Sequence, residues 1–267
     1  PKNELVVKKI PSQIVIYPIE MKGIQLKVFE KVQKEKTDSF YRKARQSSVF
    51  VFPNGDYGRI GFQTYIKKDE YGDYRFKDNI FYKGKQLQSL NALITPQNLE
   101  GTFKNLSLMS CKFTDYIKRE LTRSEKERPG NSFCYLELVE GSGVVLLGLI
   151  LEKLGFENFK SNDSTIIDNR RNKIRDTFPK KKRFALLTGK TGNLRNALKV
   201  FNHPDNMDGN YIQMIIASEV ARDGINLHNV VRGYIMAPGW HESGMHQALS
   251  RFIRATSHED LKTRYMM

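Results

Sequence analysis

From Ser132 onward, short apolar runs alternate with stretches of helical period, and this alternation limits the fold more than any other feature of the chain. Phe133–Val139, Phe184–Leu187, Tyr211–Ala217 and Val230–Met236 read as strands. Val144–Leu154, Asn193–Phe201 and Gly244–Ala255 read as helices, the first of them apolar enough to be buried. The Gly141-Ser142-Gly143 run marks a turn into the first helix, and Gly155 stops it. Strands that alternate with helices cannot be joined as hairpins. They imply an α/β fold with a parallel sheet and helical crossovers.

The first half is less regular. Val6–Ile19 reads as strand-rich, interrupted by Pro11 and Pro18. Met21–Arg45 is predicted as one helix, with Ile24, Val28 and Val32 at helical spacing, and Ser48–Pro53 as a short strand. Gly55–Gly84 is rich in Tyr, Gly, Lys and Asp without a helical period, so loose β-structure is expected, with Tyr65–Lys68 and Tyr74–Lys77 as hairpin strands. Leu106–Leu121 reads as a helix with Phe113, Ile117 and Leu121 on one side. The expected organisation is residues 1–53 joined to the main domain, a β-rich insertion over 54–105, and a core over 106–267. There is no internal repeat.

Charge bears on the partner. Of 267 residues, 44 are Lys or Arg and 29 are Asp or Glu, a formal net charge of +15. A polyanion is the expected partner, because cations that neutralise phosphates gain from counterion release. DNA, RNA and an anionic membrane surface all fit charge alone. Residues 170–183 concentrate the cations in a connector that is either a solvated loop or a phosphate contact. The insertion's aromatics, Tyr65, Tyr71, Tyr74, Phe76, Phe81 and Tyr82, lie among Lys and Arg; they suit packing in a small β-unit or stacking on bases. Cys111 and Cys134 form neither a metal spacing nor a disulfide framework, which points to two reduced thiols in an intracellular protein. No apolar run reaches the ~18 residues of a membrane span, and no membrane partner is expected. The chain opens at Pro1 without Met or secretory signal, so an excised or processed fragment is expected.

Two segments carry the chemistry. Gln247, Arg251 and Arg254 are spaced by four and three residues, which places them on one face of a helix. Two guanidiniums side by side suit a phosphate, since each offers a planar fork of donors and keeps its charge. A solvated basic helix face fits the spacing equally well. The strand Ile212–Ala217 runs into Ser218–Leu227, a polar loop containing Gly224 and Asn226. Such a loop sits where open α/β sheets bind ligands, although an ordinary turn would look similar. Gly189-Lys190-Thr191 is not the end of a phosphate-binding loop, because Phe184 occupies the position of its first glycine. No acidic pair follows a buried strand, and His241, His246 and His258 lack zinc-site partners. No metal site is expected in this chain.

Taken together, these segments resemble the C-terminal motifs of superfamily 2 helicases. Gln247–Arg254 is similar to the Gln-x-x-Gly-Arg-x-x-Arg motif, with Ser250 in place of its glycine, and Ser218–Leu227 is similar to the preceding motif. Ser257-His258, Ala237–Trp240 and the Tyr135, Gly141–Gly143 pattern resemble the poxvirus-like transcription ATPases: the small subunit of the early transcription factor and the transcription-termination ATPase. The resemblance covers residues 106–267 well, 1–53 faintly and 54–105 not at all. It implies a RecA-like domain, the C-terminal half of a nucleic-acid-dependent ATPase. In that reading Arg254 is the arginine finger, Arg251 contacts the γ-phosphate, and Gln247 positions the water-side or inter-domain network. Gly224 and Asn226 border the nucleotide; many relatives have Asp at the latter position, and Asn keeps an acceptor without the charge. Ser218, Thr188, Gly189, Gly141 and Ser142 face nucleic acid. ATP and Mg²⁺ are held mainly by a separate N-terminal RecA-like domain of the same parent, so the fragment alone is expected to be inactive. Host cytoplasm and virion are the implied locations, and a viral RNA polymerase is a further implied partner. The rival is a non-motor, basic nucleic-acid-binding or polymerase-docking module built on the same fold.

Overall fold

The computed structural model describes residues 15–35, 41–122, 130–188, 194–218 and 225–236. The first part is mainly helical: α1 (Gly23–Gln33), α2 (Arg42–Val49), α3 (Gly58–Tyr65), strands β1 (Ile66–Lys68), β2 (Tyr74–Phe76), β3 (Ile80–Tyr82) and β4 (Lys85–Leu87), then α4 (Leu90–Leu93), α5 (Leu99–Met109) and α6 (Cys111–Leu121). The second part alternates: β5 (Asn131–Tyr135), α7 (Val144–Lys153), β6 (Glu157–Asn158), the short strands β7 (Ile167–Asp168) and β8 (Lys173–Ile174), β9 (Arg183–Leu187), α8 (Leu194–Phe201), β10 (Met214–Ala217) and β11 (Val230–Ile235). Strands β11, β5, β10, β9 and β6, in that order, form a five-stranded sheet in which every pairing is parallel. The molecule is therefore α/β with helices on both faces of the sheet, consistent with a RecA-like fold.

Strand period places the core. Successive residues point to opposite faces. Cys134, Phe184, Met214 and Ile216 enter one apolar cluster, whereas Phe133, Ala185, Ile215 and Ala217 enter the other. On the first face lies α7, buried from Val144 to Leu151. It approaches the sheet closely at Gly148, where a Cβ would sit 3.1 Å from a Leu186 methyl. A helix apolar on all sides needs cover on its outer side too. The N-terminal part supplies it with Phe50, Phe62, Tyr65, Ile80, Leu90 and Phe113, which belong to the same cluster. Residues 54–105 thus share a core with the sheet. The other face is covered by α8 and by the β7–β8 hairpin, through Ala197, Phe201, Ile166 and Ile174.

The regular half follows the strand-and-helix reading closely, and the N-terminal half departs from it. The helix expected over Met21–Arg45 is two helices: α1 ends at Gln33, and α2 starts after Tyr41, whose φ is 51°. Ser48–Pro53 is not a sheet strand. Helix α2 runs to Val49, and beyond it there is only a bridge from Val51 to Tyr57, with the Phe52 amide donating to the Asp56 carbonyl across a turn. Gly55–Gly84 contains a helix, α3, because Phe62 and Tyr65 fall one turn apart and are both buried. The expected hairpin is present, with Ile66 opposite Phe76. The helix expected over Leu106–Leu121 is broken at Ser110, whose hydroxyl accepts from the Phe113 amide (3.0 Å) and donates to the Val49 carbonyl (2.6 Å). A serine that caps a helix start competes with helix continuation. Of the stretch Val6–Ile19, expected to be strand-rich, Val15–Ile19 forms no strand; Val6–Ile14 and the helix expected over Gly244–Ala255 lie outside the described residues.

The loop that returns from α8 to β10 depends on one side chain. Asn206 is fully buried. Its amide nitrogen donates to the carbonyls of Phe201 (3.1 Å) and Ile212 (3.0 Å), and its oxygen accepts from the amides of Tyr211 (2.8 Å) and Ile212 (3.0 Å). Asn206→Ala leaves the Ile212 carbonyl and the Tyr211 and Ile212 amides buried and unpaired, while the Phe201 carbonyl keeps the Asn131 side chain (3.2 Å); each unpaired group costs on the order of 1–3 kcal/mol. The expected loss is about 3 kcal/mol in urea denaturation of the chain; a loss below about 1 kcal/mol would show that the loop re-pairs without the side chain.

Candidate nucleic-acid interface

Open α/β sheets bind ligands beyond the carboxyl ends of their strands, where the direction of winding reverses. Here β5 leads through α7 to β6 at one edge of the sheet, while the chain after β10 leads to β11 at the other edge. Strands β5 and β10 are neighbours, so the reversal lies between them. Gly141 and Ser142 follow β5, Thr188 follows β9, and Ser218 follows β10. The pairing continues past the strands, with the Leu136 amide on the Ala217 carbonyl (2.9 Å) and the Ser218 amide on the Leu187 carbonyl (3.1 Å). The structure therefore brings four of the sequence-predicted contact residues to one edge of the sheet.

They are not equivalent there. Ser142 is buried, and its hydroxyl works inside the protein: it donates to the Phe50 carbonyl (2.9 Å) and accepts from the Gly58 amide (3.2 Å). Gly141, at φ 73°, lies directly under the start of α3, and a Cβ there would meet the Gly58 carbonyl carbon at 3.0 Å. This turn is pinned beneath α3. Ser218 is also buried, with its hydroxyl at the limit of hydrogen-bond range, 3.5 Å from the Leu187 carbonyl. Thr188 is half-buried. Hydroxyls and backbone amides at strand ends can position phosphate oxygens; they carry no means of reading bases.

Other residues at this edge escaped the sequence reading. Arg42, Arg45 and Gln46 of α2 line a cleft with Glu137, which follows β5, and Arg45 pairs with the Glu137 carboxylate. No signal in the sequence marked Glu137, because the strand expected over Phe133–Val139 takes it in, whereas β5 ends at Tyr135. On the far side of the turn, the Tyr74 hydroxyl donates to Glu140 (2.6 Å), which joins the β1–β2 hairpin to the residue before Gly141. Burial, and then the Glu140 carboxylate, push the Tyr74 phenol up to about 12.

Asn226 is placed elsewhere. Its carbonyl accepts from the Asn202 side chain (2.9 Å) just past the end of α8, ahead of β11. Helix α8 runs from the carboxyl end of β9 back towards the amino end of β10, so this contact lies near the opposite edge of the sheet from Ser218. Gly189, Gly224, Gln247, Arg251 and Arg254 lie outside the described residues. Among the described residues, no group of three or more His, Cys, Asp or Glu could hold a metal ion, and no helix is long and apolar enough to cross a membrane.

No protein-family profile matches the chain. Individual viral proteins do. It is 30% identical over 253 residues to "Putative helicase 087L" of Invertebrate iridescent virus 3, which covers 92% of this chain and 22% of that protein. It is 37% identical over 161 residues to "Putative helicase 009L" of Frog virus 3 (isolate Goorha), covering 60% of this chain and 15% of that protein. A match of 26% identity over 187 residues joins it to "Early transcription factor large subunit homolog" of African swine fever virus, covering 62% and 17%. The chain is thus similar to viral proteins named as helicases, and it spans only 15% to 22% of the length of these three relatives. The transcription name among them is of a large subunit, whereas the motifs resembled the small one.

The internal role of Ser142 has a direct test. Ser142→Ala removes the partner of one buried carbonyl and one buried amide, at a cost of about 1–3 kcal/mol. Urea denaturation should show that loss, while nucleic-acid affinity, measured where the variant is fully folded, stays at the original value. Full stability with weakened affinity would reverse the assignment.

Proposed function

We propose that this chain is the second RecA-like half of a superfamily 2 nucleic-acid-dependent ATPase, acting in a viral, transcription-related protein. The observation that carries the reading is the edge itself: a five-stranded parallel sheet bearing Gly141, Thr188 and Ser218 where its strands end. Those are the positions that the motif resemblance assigns to the nucleic-acid backbone. Similarity to viral proteins named as helicases supports the motor class, and the African swine fever virus name supports the link to transcription.

In this reading the nucleic acid crosses the carboxyl edge, held through its phosphates by Thr188, Gly189, Ser218 and the backbone near Gly141. A separate N-terminal RecA-like domain of the parent holds ATP and Mg²⁺. Arg251 and Arg254, which the sequence spacing puts on one helical face with Gln247, reach across the cleft to the phosphates. Their forks stabilise charge that develops on the transferring phosphoryl group. Gly224 borders the nucleotide, whereas Asn226, whose carbonyl is held by Asn202 near the opposite edge, takes no part. Closing and opening of the two halves moves the strand.

A second reading has one observation in its favour: Tyr71 (82% exposed) and Phe81 (72% exposed) stand out from the two hairpins. Exposed aromatics of this kind suit docking on a protein such as a viral RNA polymerase. The double variant Tyr71→Ser/Phe81→Ser in the parent separates the readings. Abolished polymerase association with full ATPase supports docking by this surface; unchanged association removes it.

The motor reading is tested in the full-length parent. Arg254→Ala should lower ATP turnover by about 10³-fold or more, and Arg254→Lys should not restore it, because a point charge lacks the planar fork. Near-normal turnover in folded Arg254→Ala parent would remove the finger assignment. The 267-residue chain by itself should not hydrolyse ATP; robust turnover abolished by a substitution within it would overturn the half-site reading.

A further inference from the structure

The strongest charge in the molecule is at the wrong end for the interface just described. Residues 170–183 hold eight Lys or Arg and one Asp. All eight cations except Arg183 are exposed. Lys173 pairs with Asp176 (2.9 Å) and Lys181 with Glu157 (2.9 Å). Among the described residues, no carboxylate comes within ion-pair distance of Arg170, Arg171, Arg175, Lys180 or Lys182. Lys180 and Lys182 lead into the amino end of β9, whereas Thr188 and Ser218 lie past carboxyl ends. A five-residue strand at roughly 3.3 Å per residue separates the two edges by about 15 Å.

The cations stand on a built platform. The buried Arg183 guanidinium donates to Glu157 (2.8 Å) and to the carbonyls of Pro179 (2.8 Å) and Tyr211 (3.4 Å), and it lies 4.4 Å over the Phe178 ring. Phe178 stacks on Tyr211, with ring centroids 5.9 Å apart. The Ile174 amide donates to Asp205 (2.8 Å), and the Lys181 amide to the Asn210 carbonyl (3.1 Å). These bonds hold the hairpin and the 179–182 segment against the loop after α8. A preorganised array of cations loses less conformational freedom when a polyanion binds.

We propose that this amino-edge surface is a second, sequence-independent binding site for the nucleic-acid backbone, separate from the carboxyl edge. It needs neither ATP nor the motif arginines, so it stands or falls apart from the motor reading. Arg supplies planar forks that match phosphate oxygens. An anionic bilayer fits less well, since binding at a membrane surface draws on apolar side chains that enter the lipid. Here Ile174 is fully buried and Phe178 packs inward.

The test uses the 267-residue chain, a labelled 20-nucleotide single strand and a 20-base-pair duplex, titrated from low to moderate salt. The variant is Arg170→Gln/Arg171→Gln/Arg175→Gln/Lys180→Gln/Lys182→Gln. Its affinity at low salt should fall at least tenfold, and the log–log salt slope should become shallower by about 0.7–0.9 for each phosphate that the variant no longer neutralises. Unchanged affinity and slope would overturn the proposal, as would failure of the original chain to bind either oligonucleotide at low salt. Vesicles with 30% phosphatidylserine form a parallel arm; abolished vesicle binding with oligonucleotide binding retained would assign the surface to membranes and overturn the proposal. Should the fivefold variant fail to fold, Arg170→Gln/Arg171→Gln at the hairpin turn decides the matter, with a smaller drop in the same direction and the same overturning result.

Discussion

A parallel sheet must be covered on both faces, and the arrangement of this molecule follows from that requirement. Its crossover connections lay helices over each face, and its strands carry apolar side chains in both directions. On one side, among the described residues, Phe133, Ala185, Ile215 and Ala217 are covered by helix α8 and a two-stranded hairpin. On the other side, Cys134, Phe184, Met214 and Ile216 meet α7, which is itself apolar all round. A helix of that kind solves one burial problem and creates another. The N-terminal layer answers it with Phe50, Phe62, Phe113 and their neighbours. The long, irregular first half is therefore part of the same core as the sheet.

That layering also shapes the carboxyl edge. Because α3 lies over the Gly141–Gly143 turn, the Ser142 hydroxyl holds two segments of chain together. The hairpin that follows α3 reaches the same turn through Tyr74 and Glu140. The residues of the N-terminal layer thus set the position of the end of β5 and the turn after it, through buried hydrogen bonds that water cannot replace cheaply. The two edges of the sheet differ in chemistry. Small hydroxyls and glycines mark the carboxyl edge, while exposed cations on a fixed platform mark the amino edge near β9. An electrostatic surface with few apolar groups favours fast, salt-sensitive association over tight packing.

Much of the second half was legible before any coordinates. Phe184–Leu187, Val144–Leu154 and Asn193–Phe201 match β9, α7 and α8 to within a residue at either end. Apolar runs separated by turn residues encode such elements locally. The N-terminal half was harder for an equally local reason. Helix α3 buries only Phe62 and Tyr65 as large apolar residues, its Ile60 being exposed, and Gly58 and Gly61 weaken its propensity. Ser110 gave no sign that it would break a helix, because its capping role depends on the Val49 carbonyl 61 residues away. The β6 strand, two residues long, forms only because β9 offers it an edge.

The sequence by itself determined the α/β class, the parallel sheet, the charge of residues 170–183 and which residues to look for at the strand ends. These depend on period, composition and motif, all of which are local. Tertiary structure decided what those residues can do. It gathered Gly141, Ser142, Thr188 and Ser218 at one edge, turned the Ser142 hydroxyl inward, and tied Asn226 to the end of α8. It placed the basic segment at the opposite edge and held it there with a buried arginine. The physical reason is that a side chain's availability depends on which distant backbone groups claim its hydrogen bonds. That competition is settled only when the layers pack.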